Sequence, residues 1–579
     1  MHGSLILVVA MMLVKVIGAI YKIPLANILG GDGGGYYSTA YDLYLPIYTL
    51  AMGGLPVALS RMVAESVGEA RFKDTKALLK IARMSFLVTG LIGTVIMLLL
   101  TVPYTNFVAK PGAIYSVLLI APAILFCCAM STYRGYYEGL RNMYPTAVSQ
   151  VIEALGKLVI GLLLAWGVKQ CCLNEFERLG TVFGKAVEAD VAGTPMRELA
   201  EIAAMPYAAA GAVLGVTLGT ALGALYTVIH YRITGDKISR EEYLNSPPAR
   251  PMKENFKALI CIAVPIVIGS LVTNISSLVD VTIVQKQLDV VVTGSADAIR
   301  EMYGSSIKAG LADGDISNYL YGCYKMYAYS IYNLVPALTS VFGVSAIPVL
   351  ATVWSQKNKL EVRSNIEQTV RISSMIALPA GLGIMALSGP ILTLLYSGNP
   401  EEVAIATPIL RILGITAVFA GLTVPITSML QAIGRVSVPV KNMAVGVVLK
   451  IVVNYILVGI PSINVIGAPV GTAVCYGYIF FANIYCLRKY SGVHISFKST
   501  MMKPMISAVI CAVSAVLAYS LTAKIISSVK ACALTSMAIA CLIYLISLIL
   551  LRGIAKNDLL TLPKGEKIAK TLEKLKWIR

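Results

Sequence analysis

A small set of ionisable side chains falls inside, or at the rim of, long apolar stretches: Lys15, Lys22, Lys157, Lys325 and Lys450, with Arg61 at a rim, and against them Asp42, Glu153 and Asp280, with Glu138 at another rim. Such a group costs about 2.5–3.5 kcal/mol at the centre of a membrane helix even on a lenient scale, so these residues belong in a polar cavity rather than against lipid. Lys15 and Lys22 are seven apart, which puts them two turns apart on one helix face with Gly18 between them. Cations outnumber acids, and a positive, partly dehydrated chamber suits phosphate or pyrophosphate, which lysine binds as a point charge. The competing use of the same residues is local pairing, as of Lys157 with Glu153 at i, i+4, which would only hold helices together. Asp280, at the end of Asn274-Ile275-Ser276-Ser277-Leu278-Val279-Asp280, fits a Na+ or proton coupling site and fits equally the neutralisation of Lys450; membrane potential is a further possible driving force. Arg411 stands near the start of an apolar stretch, where it reaches the interface and stays outside the site.

Other chemistry finds no support in the residues. His2, His230 and His494 are isolated, no Cys/His spacing suits a metal, and no G-x-x-x-x-G-K-[ST] loop is present for ATP. The glycine-rich Gly30-Gly31-Asp32-Gly33-Gly34-Gly35 lacks a preceding strand and reads as a tight connection between helices. No enzyme, cofactor or metal is expected beyond the coupling ion that Asp280 could hold. Tyr36, Tyr37, Tyr41, Tyr44, Tyr324, Tyr327 and Tyr332 could stack on sugars, although anchoring at the membrane interface is the commoner use of tyrosine.

The elements that must position these groups are membrane helices. The chain has 579 residues, 57% hydrophobic and 13% charged, with a mean hydropathy of +0.76, against about 25% charged in soluble proteins. Apolar runs of about 20 residues, enough for a 30 Å hydrocarbon core, recur from end to end. They predict an all-α polytopic fold of about fourteen spans, at about 4–29, 36–60, 83–102, 113–138, 145–168, 203–231, 256–284, 319–351, 372–396, 404–432, 437–459, 467–487, 505–523 and 531–551. The first run is longer than a signal-peptide core and carries two lysines, so it is expected to span. The net charge of +18 resides mainly in alternate short loops, the distribution that sets orientation, which predicts a plasma-membrane protein with both termini cytoplasmic and argues against nucleic acid as a partner.

Two long outer loops are expected at about 169–202, with Glu175, Glu177, Glu188 and Glu198, and at about 285–318, with Asp289, Asp297 and Asp313. They read as solvated amphipathic segments, or else as a gate or a partner contact. The segment 564–579 puts Ile568, Leu572 and Leu575 on one helical face among Lys567, Lys570, Lys574 and Lys576, a basic amphipathic tail suited to an anionic membrane surface. Most of the 11 cysteines lie in apolar segments, Cys171 and Cys172 fall in an outer loop, and no disulfide is expected.

An internal repeat organises the spans. Glu138-Gly139 through Pro145 to Lys157 is echoed by Gln431-Ala432-Ile433-Gly434 through Pro439 to Lys450; a weaker echo links Gly35-Tyr36-Tyr37 through Leu55-Pro56-Val57 with Gly322-Cys323-Tyr324 through Ile347-Pro348-Val349. Both shift by six helices in one orientation, which predicts parallel lobes at 1–232 and 256–490, a linker at 233–255, an extra helix pair at 491–551 and the tail 552–579. Parallel repeats are a recurrent transporter plan, with the substrate between the halves.

Lys15-Val16-Ile17-Gly18-Ala19-Ile20-Tyr21-Lys22-Ile23-Pro24-Leu25, Gly53-Gly54-Leu55-Pro56-Val57-Ala58-Leu59-Ser60-Arg61-Met62-Val63-Ala64-Glu65, Arg134-Gly135-Tyr136-Tyr137-Glu138-Gly139 with Pro145-Thr146-Ala147-Val148-Ser149-Gln150, and Asn333-Leu334-Val335-Pro336-Ala337-Leu338-Thr339 together resemble the SpoVB/YtgP branch of the MurJ-like lipid II flippases, in the MOP exporter superfamily. The likeness runs through helices one to twelve. It implies two lobes around a cationic cavity, a groove toward the last two helices for a polyprenyl tail, and export of a lipid-linked cell-wall precursor. On this resemblance Lys15 takes the place of a cavity arginine, Arg61 that of the basic residue ending helix two, and Asp280 that of a sodium-site aspartate. Tyr21 stands where relatives carry a second arginine, with Lys22 one position on, and Lys450 stands where a second sodium-site carboxylate would be. The expected function is alternating-access transport of an anionic, polyprenyl-pyrophosphate-linked glycan, lipid II in particular, by a monomer, with Lys15, Lys22, Arg61, Lys325, Lys157 and Lys450 holding the headgroup. A flippase for a capsule or spore-envelope unit is the alternative, a cation-coupled drug exporter a more distant one, and a nonenzymatic scaffold whose loops at 169–202 and 285–318 bind cell-wall synthesis proteins a further one.

Overall fold

The computed structural model describes residues 2–187, 195–308, 310–493, 496, 498–551 and 553–554. Its first helix, α1 (His2–Met52), contains a chain reversal at Gly30, where φ 62° and ψ −164° open a backbone region that only glycine enters without strain. A straight helix would carry Tyr21 and Tyr41 about 30 Å apart. Instead both rings flank the ammonium of Lys157, at 5.4 and 5.0 Å from their centroids. The glycine-rich stretch is thus the tight connection that its composition suggests.

The chain continues through α2 (Leu55–Gly68), α3 (Phe72–Phe107), α4 (Ile114–Gly139), α5 (Tyr144–Leu179), α6 (Met196–Thr234), the short α7 (Arg240–Asn245), α8 (Met252–Val279), α9 (Gln285–Tyr303) and α10 (Asp313–Gly322). Beyond them lie α11 (Tyr329–Tyr332), α12 (Leu334–Ser355), α13 (Lys359–Ala386), α14 (Ser388–Leu395), α15 (Pro400–Ala432), α16 (Ser437–Val458), α17 (Gly467–Ser491), α18 (Lys503–Thr522) and α19 (Val529–Leu550). Twelve stretches of described residues are long and apolar enough to cross a membrane; one, Val9–Gly68, runs for 60 residues and takes in most of the first expected span and all of the second. The 28-residue α8 stands outside those twelve, and at about 1.5 Å per residue it has the length to cross as well. The fold is polytopic and all-α.

Contacts divide the chain into two compact units, residues 1–296 with 307–322, and 297–306 with 323–579. This division by packing falls elsewhere than the 233–255 division read from the repeat, because α8 packs with α1, α2 and α3, α10 packs with α1, and the start of α9 meets α1 and α3 through Gln285 on Thr39 and Lys286 over the Phe107 ring.

In the first unit, α5 lies along α6 through glycines. Gly211, Gly215, Gly219 and Gly223 recur every four residues on α6. A methyl on Gly215 would meet the Gly161 Cα at 2.2 Å, and one on Gly219 would meet the Lys157 backbone nitrogen at 2.7 Å. Small residues at this spacing let membrane helices touch backbone to backbone, where dispersion and not a hydrophobic force holds them.

The long loops depart from expectation. The described residues of the stretch 169–202 are ordered and largely exposed: α5 continues to Leu179, and a hairpin pairs Thr181–Val182 with Lys185–Ala186. Glu175 organises that hairpin, accepting from the Thr181 hydroxyl at 2.8 Å and the Gly184 amide at 2.7 Å. The stretch 285–318 is largely helical, and its Asp289 accepts from Lys110 at 3.4 Å and from Ser317 at 3.2 Å instead of facing solvent alone. Burial of Lys110, 1% exposed, is what draws the segment in: a buried ammonium requires oxygen partners, and it finds the Gly314 carbonyl at 2.6 Å as well. The basic tail expected at 564–579 lies outside the described residues.

In the second unit, α18 and α19 pair through Thr522 and Ser536 hydroxyls 3.3 Å apart, and the Tyr544 hydroxyl donates to the Met375 carbonyl of α13 at 2.8 Å. These are the two extra helices expected at the C-terminal end.

Candidate functional site: a cationic cavity in the first unit

A cavity of about 360 Å³ opens between the first half of α1, α4 and α5. From α1 it takes Met11, Val14, Lys15, Gly18 and Tyr21, residues three or four apart on one helical face. From α5 it takes Gln150, Glu153, Ala154 and Lys157, again one face, and from α4 it takes Arg134. Three cations therefore surround one carboxylate in a volume within the usual range for ligand pockets, about 300–1,000 Å³.

Each charged group has a defined seat. The Arg134 Nη2 donates to Glu153 Oε2 at 3.1 Å, and its Nε donates to the Ser149 hydroxyl at 2.8 Å. The Lys157 ammonium donates to the Tyr41 hydroxyl at 2.7 Å and lies against the Tyr21 and Tyr41 rings. Such cation–π contacts contribute about 0.5–2 kcal/mol, more as water is excluded. Glu153 thus pairs with Arg134 across helices, and its i+4 neighbour Lys157 donates to the Tyr41 hydroxyl instead. Oε1 of Gln150, buried on the wall, accepts no hydrogen bond from the described residues, so a donor such as a sugar hydroxyl has a place there.

The other expected site residues are distributed differently. Lys22, half-buried, is not among the cavity-lining residues; seven residues carry it about 10.5 Å along α1 from Lys15, past the floor that Tyr21 forms. Arg61 is well exposed on α2 and pairs with Glu65 at 2.9 Å, one turn on. Asp42 is buried and accepts from the Tyr321 hydroxyl at 2.6 Å, and Asp280 lies within electrostatic reach of that same tyrosine. Asp280 opens a π-helical turn, Asp280–Val284, an irregularity that often accompanies function. In the second unit Lys325 sits in another such turn, Cys323–Ala328, with its ammonium 4.9 Å from the Tyr329 ring centroid, and Lys450 is 1% exposed. The expected tyrosines are interior: Tyr36, Tyr37, Tyr44, Tyr324, Tyr327 and Tyr332 are buried. Tyr37, Tyr41 and Tyr44 form a ladder of rings 4.9 and 5.9 Å apart.

Arg134, like Gln150, is a site residue that sequence reading passes over, and Arg134 is the one that carries charge. It was legible as a cation four residues before Glu138 inside the span at 113–138, where the rule that singles out Lys157 applies equally.

A family model described as polysaccharide biosynthesis protein matches residues 1–187, which include every helix lining the cavity, and the MatE model matches residues 325–456. The lipid II flippase MurJ of Bacillus subtilis (strain 168) is 23% identical over 521 residues, 88% of this chain and 86% of the relative. The chain is similar to the MurJ-like proteins of the MOP exporter superfamily. Stage V sporulation protein B of the same organism is 22% identical over 475 residues, 81% of this MurJ-like chain and 79% of the relative. A solved structure of the lipid II flippase MurJ in an inward closed conformation shares the fold, with a TM-score of 0.59 at 14% identity, covering 93% of this chain and 97% of the other. In this MurJ-like chain the cations that line the cavity are Lys15, Arg134 and Lys157, and Tyr21 lines it with them.

Proposed function

We propose that this protein is a flippase for an anionic lipid-linked oligosaccharide, and that the substrate is a polyprenyl-pyrophosphate-linked cell-wall precursor such as lipid II. The observation that carries the reading is the convergence of Lys15, Arg134 and Lys157 on one cavity that holds a single carboxylate. A pyrophosphate brings the charge that this excess lacks, and the cavity walls replace its water with fixed donors. Gln150 supplies an acceptor for a sugar hydroxyl beside them. The names of the relatives support the same class.

The protein works in this reading as a transporter in the cell membrane with both termini cytoplasmic, loading the headgroup on the cytoplasmic side and releasing it outside by alternating access. Asp280, buried beside the Asp42–Tyr321 pair, is the carboxylate most suited to ion coupling. A flippase for another lipid-linked saccharide is the second reading, favoured by the match of the polysaccharide biosynthesis model to the helices that build the cavity. Export of cationic drugs would place positive solutes among three positive side chains, and the charge balance opposes it.

The test is translocation of lipid II by the full-length protein in proteoliposomes. Replacing Lys15 and Lys157 together by alanine lowers the rate about tenfold or more with retained folding, a loss of at least ~1.4 kcal/mol in binding or barrier. Unchanged translocation by the double variant rejects the cationic site. Complementation of a strain depleted of its own lipid II flippase then separates the two readings, since rescue requires lipid II itself.

A further inference from the structure

The cavity contains an ion pair that a phosphate-binding site would be expected to avoid. A carboxylate on the wall repels an incoming pyrophosphate and engages one of the cations meant for it. Three geometric facts give that pair a role. Arg134 is anchored twice, its Nε donating to the Ser149 hydroxyl at 2.8 Å independently of Glu153, and the Ser149 hydroxyl donates onward to the Thr146 carbonyl at 2.9 Å. The guanidinium therefore keeps its place when its carboxylate partner leaves. Glu153 is the more open member, its side chain 31% exposed against 14% for Arg134, so it can turn without uncovering the arginine. Finally Lys157 lies one turn along the same face of α5, held by Tyr41 and two rings, and offers the departing carboxylate a second cation.

We propose that Glu153 is a resident counter-anion: it occupies the Arg134 guanidinium while the cavity is empty and yields it to a phosphate oxygen of the headgroup. The inference rests on the anionic-headgroup reading above. An arginine left alone at this depth would be an uncompensated charge, and Glu153 removes that cost in the empty state. Exchange of one oxyanion for another then keeps Arg134 paired throughout the cycle. The same competition limits how tightly the headgroup is held, so that it can be released on the far side.

The experiment measures binding of farnesyl pyrophosphate, a short polyprenyl pyrophosphate, to the full-length protein in nanodiscs by calorimetry, beside translocation of lipid II in proteoliposomes. Glu153→Gln removes the competitor, and it tightens binding about tenfold or more while slowing translocation. Arg134→Gln weakens binding, and in that background Glu153→Gln brings little further gain. Glu153→Asp, which retains the charge and shortens the reach, gives an intermediate affinity and serves if the glutamine variant folds poorly. A Glu153→Gln or Glu153→Asp protein that melts normally and binds no tighter than wild type overturns the exchange while leaving the cationic site intact. A wild type that neither binds farnesyl pyrophosphate nor translocates lipid II overturns the anionic-headgroup reading and the exchange with it.

Discussion

The ammonium of Lys157 on α5 donates to the phenol of Tyr41 on the second half of α1 at 2.7 Å, 116 residues back along the chain. The contact exists because α1 reverses at Gly30, and it seats a cavity cation without an acid. Tyr41→Phe retains the ring and removes the acceptor. The expected cost is about 1.5–3 kcal/mol, the range for hydrogen bonds to charged groups, read as a lower melting temperature in nanodiscs. Farnesyl pyrophosphate binding should weaken with it, because a less firmly seated ammonium is less preorganised. Unchanged stability and binding would show that the rings alone hold Lys157.

Close approach of α5 and α6 places Glu153 and Lys157 at the cavity wall. Gly215→Val would drive a branched side chain into the backbone of Gly161, which a methyl on residue 215 already meets at 2.2 Å. Overpacking of this kind costs about 1–3 kcal/mol. Thermal unfolding should register it, and pyrophosphate binding should fall as the α5 face turns. Gly235→Ala probes strain instead of space: its φ of 66° and ψ of −157° lie in the region that only glycine enters without strain, with nothing within 4 Å of an added methyl, so a loss of about 1–3 kcal/mol is expected from the backbone alone.

Arg61 offers a contrast. It is paired with Glu65 at 2.9 Å on an exposed helix surface, with side-chain exposures of 66% and 56%. Exposed pairs of this kind contribute about 0–1 kcal/mol. Arg61→Ala is expected to leave both the melting temperature and farnesyl pyrophosphate affinity nearly unchanged, whereas Lys15→Ala lowers the affinity. An Arg61 variant that binds as poorly as the Lys15 variant would extend the site beyond the cavity.

Acid should loosen the segment at 233–255 at one defined place. The helix α7 begins with a capping box, in which the Ser239 hydroxyl accepts the Glu242 amide at 3.1 Å and the Glu242 carboxylate accepts the Ser239 amide at 2.8 Å. These bonds to the ionised form hold the Glu242 pKa below its ordinary value of 4.5. A depressed carboxylate adds stability above its unfolded-state pKa and loses it as pH falls through the folded value, so the cap weakens on the acid side of 4.5. Amide exchange at 240–245 should speed up in that window more than the chemistry of exchange predicts, and Glu242→Gln should abolish the excess.

How much of this was legible in advance varies by residue. Lys15, Glu153 and Lys157 could be read as cavity groups, because a charge inside an apolar run has few inexpensive places to go and because i, i+4 spacing fixes a face. The same rule marks Lys22 and Arg61, yet one lies past the cavity floor and the other pairs in the open, since a helix face predicts direction and not depth. Arg134 was equally visible and went uncounted. The loops at 169–202 and 285–318 looked solvated from their acids, and only the neighbours, Thr181 and Gly184 for Glu175 and the buried Lys110 for Asp289, make those acids structural.

By itself the sequence determined the solvent of this protein, its helical spans, the turn at Gly30 and the excess of positive charge within the membrane, because hydropathy, helical period and backbone sterics are local properties. Tertiary structure alone decided which charges meet. The pairing of Arg134 with Glu153, the seating of Lys157 between Tyr21 and Tyr41, and the contact of Gly161 with Gly215 depend on the distance and rotation between helices. Those are set by packing across the whole bundle, where no periodicity within one segment can register them.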